Sequence, residues 1–198
     1  MEATTMKKMA IPLRDFFLKI MGNPNALTFI RIVASPVVIL LLLIPNRLTC
    51  FLSALVFSAA AITDYYDGQL ARQKGMVSNL GKVMDPVADK LLVSSAFIMM
   101  TALGWVPAWI VCIIIGRELA VTGLRNIIAH HKEDVSASML GKYKTGFQIA
   151  AIIPLLLHYS YFSINLHAIG MFFLWGALLF TVWSGADYFL KHRRLLQP

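Results

Sequence analysis

The sequence predicts an all-α integral membrane protein with six transmembrane helices and a short amphipathic helix at the N-terminus. Hydrophobic residues occupy 58% of the 198 positions, charged residues only 14%, and the mean hydropathy is +0.69. A soluble domain of this length cannot bury so much apolar surface, because too much of its chain lies at the surface. The apolar residues also form separate runs of about 20 residues, which is the length of a helix that crosses a bilayer.

The first 22 residues are predicted to form an interfacial segment ahead of a membrane domain at 23–198. This segment lacks the long apolar region of a cleavable signal. It combines basic and large apolar side chains, as amphipathic helices that lie flat on a membrane do. These side chains are Lys7, Lys8, Arg14 and Lys19, beside Phe16, Phe17 and Ile20.

Six apolar runs in the membrane domain have the length of transmembrane helices. No soluble domain, low-complexity tract or repeat period interrupts them. The two cysteines, Cys50 and Cys112, lie within or beside these runs and are interpreted as small hydrophobic residues, not as a disulfide or a metal pair. The predicted spans are 25–44, 49–72, 86–103, 106–129, 143–161 and 166–190.

Lysine and arginine predict the orientation of these spans. They concentrate in the N-terminal segment, the second and fourth connections and the C-terminal tail, whereas the first, third and fifth connections contain only Arg47. The positive-inside rule therefore places both termini and the even-numbered connections in the cytoplasm. The same distribution explains the net charge of +8 by contact with an anionic membrane surface, and it argues against a nucleic-acid partner.

Four of the ten acidic residues, Asp64, Asp67, Asp85 and Asp89, lie at the cytoplasmic ends of the second and third spans. A carboxylate so close to hydrocarbon is costly unless it is paired, hydrated or bound to a cation. Spacings of three and four residues place each pair on one helical face. Oxygen ligands without His or Cys favour Mg²⁺ or Mn²⁺, and two such ions can bind one phosphoryl group. The alternative is a loop whose charges are simply solvated.

Small and basic residues beside the aspartates favour a nucleotide. Gly68 and Gly81 lack side chains where the flat surfaces of a nucleotide could approach, although glycine also serves plain helix packing. Arg72, at the cytoplasmic end of the second span, is suited to pair with phosphate.

The segment 64–89 reads D-x2-D-G-x2-A-R-x8-G-x3-D-x3-D, and it resembles the signature of the CDP-alcohol phosphotransferases. The resemblance implies six transmembrane helices, a homodimer and a two-metal site at the cytoplasmic face. It implies that Asp64, Asp67 and Asp85 ligate metal, and that Asp89 is the general base, which also touches the second ion. The nucleotide-binding residues that it implies are Asp64, Gly68, Arg72, Ser78, Gly81 and Asp85.

Three further segments resemble the bacterial phosphatidylglycerophosphate synthases, a group within that family. They are N-P-N-A-L-T-F-I-R at 23–31, G-R-E-L-A-V-T-G-L-R at 116–125 and G-K-Y-K-T at 141–145. The resemblance implies an enzyme of the cytoplasmic membrane that transfers the phosphatidyl group of CDP-diacylglycerol to glycerol-3-phosphate and releases CMP. Tyr65 departs from the tryptophan expected after the first aspartate, and about twenty residues precede the usual start.

Basic residues in or beside the spans predict a pocket for a small phosphorylated acceptor. Arginine binds phosphate with two hydrogen bonds and lysine adds a point charge, so this pocket favours glycerol-3-phosphate over uncharged inositol, serine or choline. A purely structural alternative stays open, in which Glu118 pairs with Arg117 or fixes Arg125. The predicted pocket residues are Arg117, Arg125, Lys142 and Lys144, with Thr28 and Arg31 from the first span.

The sequence leaves two other functions open. One is a related enzyme with another acceptor, such as inositol phosphate, or phosphatidylglycerol as in cardiolipin synthesis. The other is a divalent-cation transporter, although transporter sites usually lie near the middle of the membrane and within inverted repeats. Asp187 in the last span receives no predicted role.

Overall fold

The computed structural model describes residues 24–74, 79–130, 139–159 and 164–191. Side chains are described throughout these ranges except at 24–27, 64–74, 79–86, 126–127, 129–130, 139–140 and 142. The predicted interfacial segment at 1–22 lies outside the described residues.

All regular elements in the described ranges are α-helices, so the all-α prediction is confirmed. Each helix coincides with one predicted span. The helices are α1 (Pro24–Leu43), α2 (Arg47–Lys74), α3 (Asn79–Ala102), α4 (Ala108–His130), α5 (Met139–Leu157) and α6 (Leu166–Lys191).

Three predicted boundaries differ from the structure by four residues or more. Helix α3 begins at Asn79 instead of residue 86, because backbone hydrogen bonding continues through the segment N-L-G-K-V-M-D, whose polar residues dilute the apolar signal. Helix α5 begins at Met139 instead of residue 143, and it ends at Leu157 instead of residue 161. The next residue, His158, has a φ of 39°, in the left-handed region that ends helices at this position.

Asparagine side chains cap the N-termini of two helices. The Asn46 side-chain oxygen accepts hydrogen bonds from the backbone N–H groups of Leu48 (2.9 Å) and Thr49 (3.0 Å) at the start of α2. Asn165 accepts one from the N–H of Ala168 (3.0 Å) at the start of α6. These bonds satisfy donors that have no partner within the first turn of a helix.

One apolar core joins all six helices. Helix α1 packs against α2 and α3, α5 packs against α6, α2 and α3, and α4 packs against α6 and α3. Helices α5 and α6 approach closely at Gly170, which has no side chain. A Cβ at this position would lie only 2.6 Å from Cγ of Leu155. The core includes Val38, Leu42, Phe57, Phe97, Met100, Ile110, Ile152, Leu155 and Leu174.

The outer surface of the helices is also apolar. Phe172 is 71% exposed, Leu40 is 65% exposed and Trp183 is 59% exposed. Within the described residues, α6 is the one helix whose length and composition suffice to cross a membrane, and shorter apolar stretches occupy Thr28–Leu43, Arg47–Thr63 and Tyr143–Leu157. A continuous apolar surface of this kind marks contact with lipid or with another protein.

Candidate functional site

The acidic motif occupies two helices that both pack against α1. Asp64 and Asp67 lie in α2, and Asp85 and Asp89 lie in α3. The backbone therefore has the helical spacing on which the metal prediction depends. Of the four side chains only that of Asp89 is among the described residues, and it is half-buried.

The other nucleotide-binding predictions fall partly outside the described residues. The backbone of Gly68 and Arg72 lies in α2, and that of Gly81 lies in α3. Ser78 lies outside the described residues. Among the side chains that the structure describes, no three His, Cys, Asp or Glu residues gather as a metal site. Since that set includes only Asp89 of the four aspartates, the metal site stays a prediction.

A partly buried ionic cluster joins α4 to α5. The Glu118 carboxylate accepts a hydrogen bond from Nη1 of Arg117 at 3.2 Å and another from the ammonium group of Lys144. The exposed fractions of these side chains are only 13% for Arg117, 16% for Glu118 and 9% for Lys144. Partial burial weakens the screening of these charges by water, so each cation is held in a defined position.

Lys144 connects this cluster to the acidic motif. Its ammonium group interacts electrostatically with the Asp89 carboxylate as well as with Glu118. Helix α5, which carries Lys144, packs against α3, which carries Asp89. The residue predicted as general base and a residue predicted to bind the acceptor thus lie on neighbouring helices, within electrostatic range of each other.

Arg117 is also anchored to α6. Its Nη2 group donates a hydrogen bond to the Ser184 hydroxyl at 3.0 Å. The hydroxyl in turn donates to the backbone carbonyl of Phe180 at 2.6 Å. Sequence reasoning missed Ser184, because a serine in an apolar span has many uses and its partner lies 67 residues away.

Arg125 lies toward the end of α4, near the same cluster. Its guanidinium carbon is 5.9 Å from the centroid of the Tyr188 ring, within the range of a cation–π contact. It also interacts electrostatically with Arg117, and a nearby anion would relieve the repulsion between these like charges. Asp187, which had no predicted role, accepts a hydrogen bond from Lys191 at 2.8 Å.

Thr28 and Arg31 lie one turn apart on α1, each only 4% exposed. The Ser35 hydroxyl donates to the Arg31 carbonyl at 3.1 Å, which extends this polar face by one more turn. Because α1 packs against both helices of the acidic motif, the face lies within the same bundle as the aspartates. The side chain of Lys142, the remaining pocket prediction, lies outside the described residues.

Comparison with known proteins shows the family of the chain. A family model described as CDP-alcohol phosphatidyltransferase matches residues 21–183. The chain belongs to this family. The match confirms the family resemblance, and it identifies the protein as a transferase.

Relatives of known name cover nearly the whole chain. The CDP-diacylglycerol–glycerol-3-phosphate 3-phosphatidyltransferase of Bacillus subtilis is 42% identical over 186 residues, which cover 88% of this chain and 96% of the relative. The protein of that name from Rickettsia typhi is 41% identical over 167 residues, covering 84% of this chain and 94% of the relative. A probable phosphatidylglycerophosphate synthase of Mycobacterium tuberculosis is 36% identical over 183 residues, covering 89% and 84%.

Proposed function

We propose that the protein transfers the phosphatidyl group of CDP-diacylglycerol to glycerol-3-phosphate, giving phosphatidylglycerophosphate and CMP. The names of relatives at 36–42% identity support this reaction. The observation that carries it in this chain is the partly buried cluster in which Glu118 holds Arg117 and Lys144. This cluster suits an anionic acceptor, and its Lys144 lies within electrostatic range of the candidate base Asp89.

The reaction is an in-line displacement at phosphorus. The primary hydroxyl of glycerol-3-phosphate loses its proton to the Asp89 carboxylate and attacks the phosphorus that bears the diacylglycerol. A new P–O bond forms to the acceptor oxygen while the P–O bond to CMP breaks. Since no covalent intermediate with the protein is needed, the rate depends on positioning and on electrostatic stabilisation.

The cationic side chains bind the acceptor phosphate. Arg117 and Lys144 are anchored by Glu118, and Arg125 adds a third charge that repels Arg117. An incoming phosphate relieves this repulsion, which an uncharged acceptor would not do. The complete acceptor site comprises Thr28, Arg31, Arg117, Arg125, Lys142 and Lys144.

The acidic motif binds the nucleotide and metal. Carboxylates at helical spacing, with no cysteine or histidine in segment 64–89, have the chemistry of a Mg²⁺ or Mn²⁺ site, and two ions fit four carboxylates. Bound ions would neutralise the diphosphate and the departing CMP. Asp64, Asp67, Asp85 and Asp89 would hold the ions. The CDP moiety would contact Asp64, Gly68, Arg72, Ser78, Gly81 and Asp85.

All six helices span the cytoplasmic membrane in this proposal, with both termini and the active site on the cytoplasmic side. Exposed residues such as Leu40, Phe172 and Trp183 are then covered by lipid acyl chains. The 1–22 segment lies on the membrane surface, and two copies of the chain form a homodimer. The diacylglycerol tails stay in the bilayer while the soluble acceptor arrives from the cytoplasm.

An acceptor panel tests the proposed reaction. Purified protein with CDP-diacylglycerol and Mg²⁺ is given glycerol-3-phosphate, inositol phosphate or phosphatidylglycerol, and CMP release is measured. Of these three acceptors, we expect only glycerol-3-phosphate to give rapid CMP release. Faster release with another acceptor would identify a related enzyme instead. Uptake of Mn²⁺ by reconstituted vesicles without CMP release would favour a transporter.

A further inference from the structure

We propose that Ser184 and Gly185 of α6 are positioning residues that set the affinity for glycerol-3-phosphate through Arg117. This inference rests on the proposed function, in which Arg117 binds the acceptor phosphate. It gives the last helix a part in substrate recognition that the sequence did not reveal.

The Ser184 hydroxyl fixes one end of the guanidinium group. It is only 2% exposed and accepts a hydrogen bond from Nη2 of Arg117 at 3.0 Å. Its own proton is directed to the Phe180 carbonyl at 2.6 Å. A hydroxyl has one donor and two acceptor positions, so this arrangement turns its lone pairs toward Arg117.

Gly185 lets the arginine stem lie against the backbone of α6. A Cβ at this position would lie 3.0 Å from Cγ and 3.4 Å from Nε of Arg117. A side chain at this position would press on the Arg117 stem, which would have to shift by a few tenths of an ångström. The Arg117 side chain is only 13% exposed, so it has little free space in which to shift.

These contacts leave one edge of the guanidinium group for a ligand. Glu118 binds Nη1 at one end and Ser184 binds Nη2 at the other. Nε is buried and faces α6 at Gly185, so it is closed to a ligand. Nη1 and Nη2 each carry a second N–H that no described residue binds, and such a pair suits two parallel hydrogen bonds to phosphate oxygens. Ser184 and Gly185 thus orient the edge that the acceptor phosphate would meet.

Replacement of Ser184 tests the first contact. In Ser184→Ala we expect the KM for glycerol-3-phosphate to rise about tenfold, since a hydrogen bond to a charged group is lost. The kcat and the KM for CDP-diacylglycerol should stay within about twofold, because the base and the nucleotide site are untouched. Ser53→Ala is the matched control, since Ser53 is a fully buried serine of α2 whose hydroxyl donates to the Cys50 carbonyl at 3.2 Å.

A double-mutant cycle separates positioning from a general structural effect. Arg117→Lys keeps a positive charge but has no Nη2 group, so Ser184→Ala should change the KM no further in that background. Gly185→Ala, like Ser184→Ala, should raise the KM for glycerol-3-phosphate. The thermal stability of every variant is measured alongside. Ser53→Ala should leave the KM for glycerol-3-phosphate within about twofold of the wild type. An additive cycle, or equal changes of that KM in Ser184→Ala and Ser53→Ala, would overturn the inference.

The outcomes distinguish this inference from the proposed function. An active wild-type enzyme whose KM for glycerol-3-phosphate is unchanged by both Ser184→Ala and Gly185→Ala contradicts the inference alone. A wild-type protein that releases no CMP with glycerol-3-phosphate contradicts the proposed function, and the inference is then overturned with it.

Discussion

At the scale of single residues, Glu118 explains how several cations can share one small region. Its carboxylate accepts hydrogen bonds from both Arg117 and Lys144, and none of the three side chains is more than 16% exposed. Without this counter-charge the two cations would repel each other in a poorly hydrated place. The structural alternative, in which Glu118 pairs with Arg117, is therefore present. It is compatible with phosphate binding, because Glu118 leaves other donors of both cations available.

Replacement of Asp89 tests the base of the proposed reaction. Asp89→Asn keeps the size of the side chain but cannot accept the proton, so we expect CMP release to fall about 10²–10⁴-fold. The matched control is Asp187→Asn, because Asp187 pairs with the exposed Lys191 on the surface of α6. We expect that control to stay within about twofold of the wild type. Near-normal turnover of Asp89→Asn with metal bound would disprove the role of the base.

At the scale of helices, glycine controls how closely α5 and α6 pack. A Cβ on Gly170 would lie 2.6 Å from Cγ of Leu155 and 3.0 Å from its backbone N, whereas one on Gly146 would meet nothing within 4 Å. The two glycines therefore differ in their surroundings although both are helical.

This difference predicts opposite effects of one substitution. Gly170→Ala should lower the free energy of unfolding by about 1–3 kcal/mol, because the added methyl group overpacks the interface. Gly146→Ala should be neutral or stabilising by up to about 1 kcal/mol, since alanine is the better helix former. Thermal unfolding in the same detergent measures both. Equal changes in the two variants would contradict the close approach of α5 and α6.

At the scale of the whole molecule, the distribution of charge predicts a fixed orientation in the membrane. Arg47 follows the first span and is expected outside, whereas Lys132 follows the fourth span and is expected in the cytoplasm. In a background with Cys50 and Cys112 replaced by alanine, a membrane-impermeant thiol reagent should label Arg47→Cys but not Lys132→Cys in intact cells. Lysis should expose both positions. Labelling of Lys132→Cys before lysis would contradict the orientation.

The sequence could predict the helices and the acidic motif because both have local signals. Runs of apolar residues predicted the six helices, and the spacing of motif residues from Asp64 to Asp89 indicated the family. The first turns of α3 escaped prediction because their residues, N-L-G-K-V-M-D, are too mixed to continue the apolar run. The contact between Arg117 and Ser184 escaped because helices that are apolar on most faces do not reveal which face meets which neighbour.

The transfer of glycerol-3-phosphate into lipid is the most direct test of the proposed function. Purified protein is incubated with CDP-diacylglycerol, Mg²⁺ and radiolabelled glycerol-3-phosphate, and the label is measured in the organic phase while CMP is measured in the aqueous phase. We predict labelled phosphatidylglycerophosphate and CMP in equal amounts. CMP release with all of the label left in the aqueous phase would contradict the proposal, since water or another acceptor would then have received the phosphatidyl group.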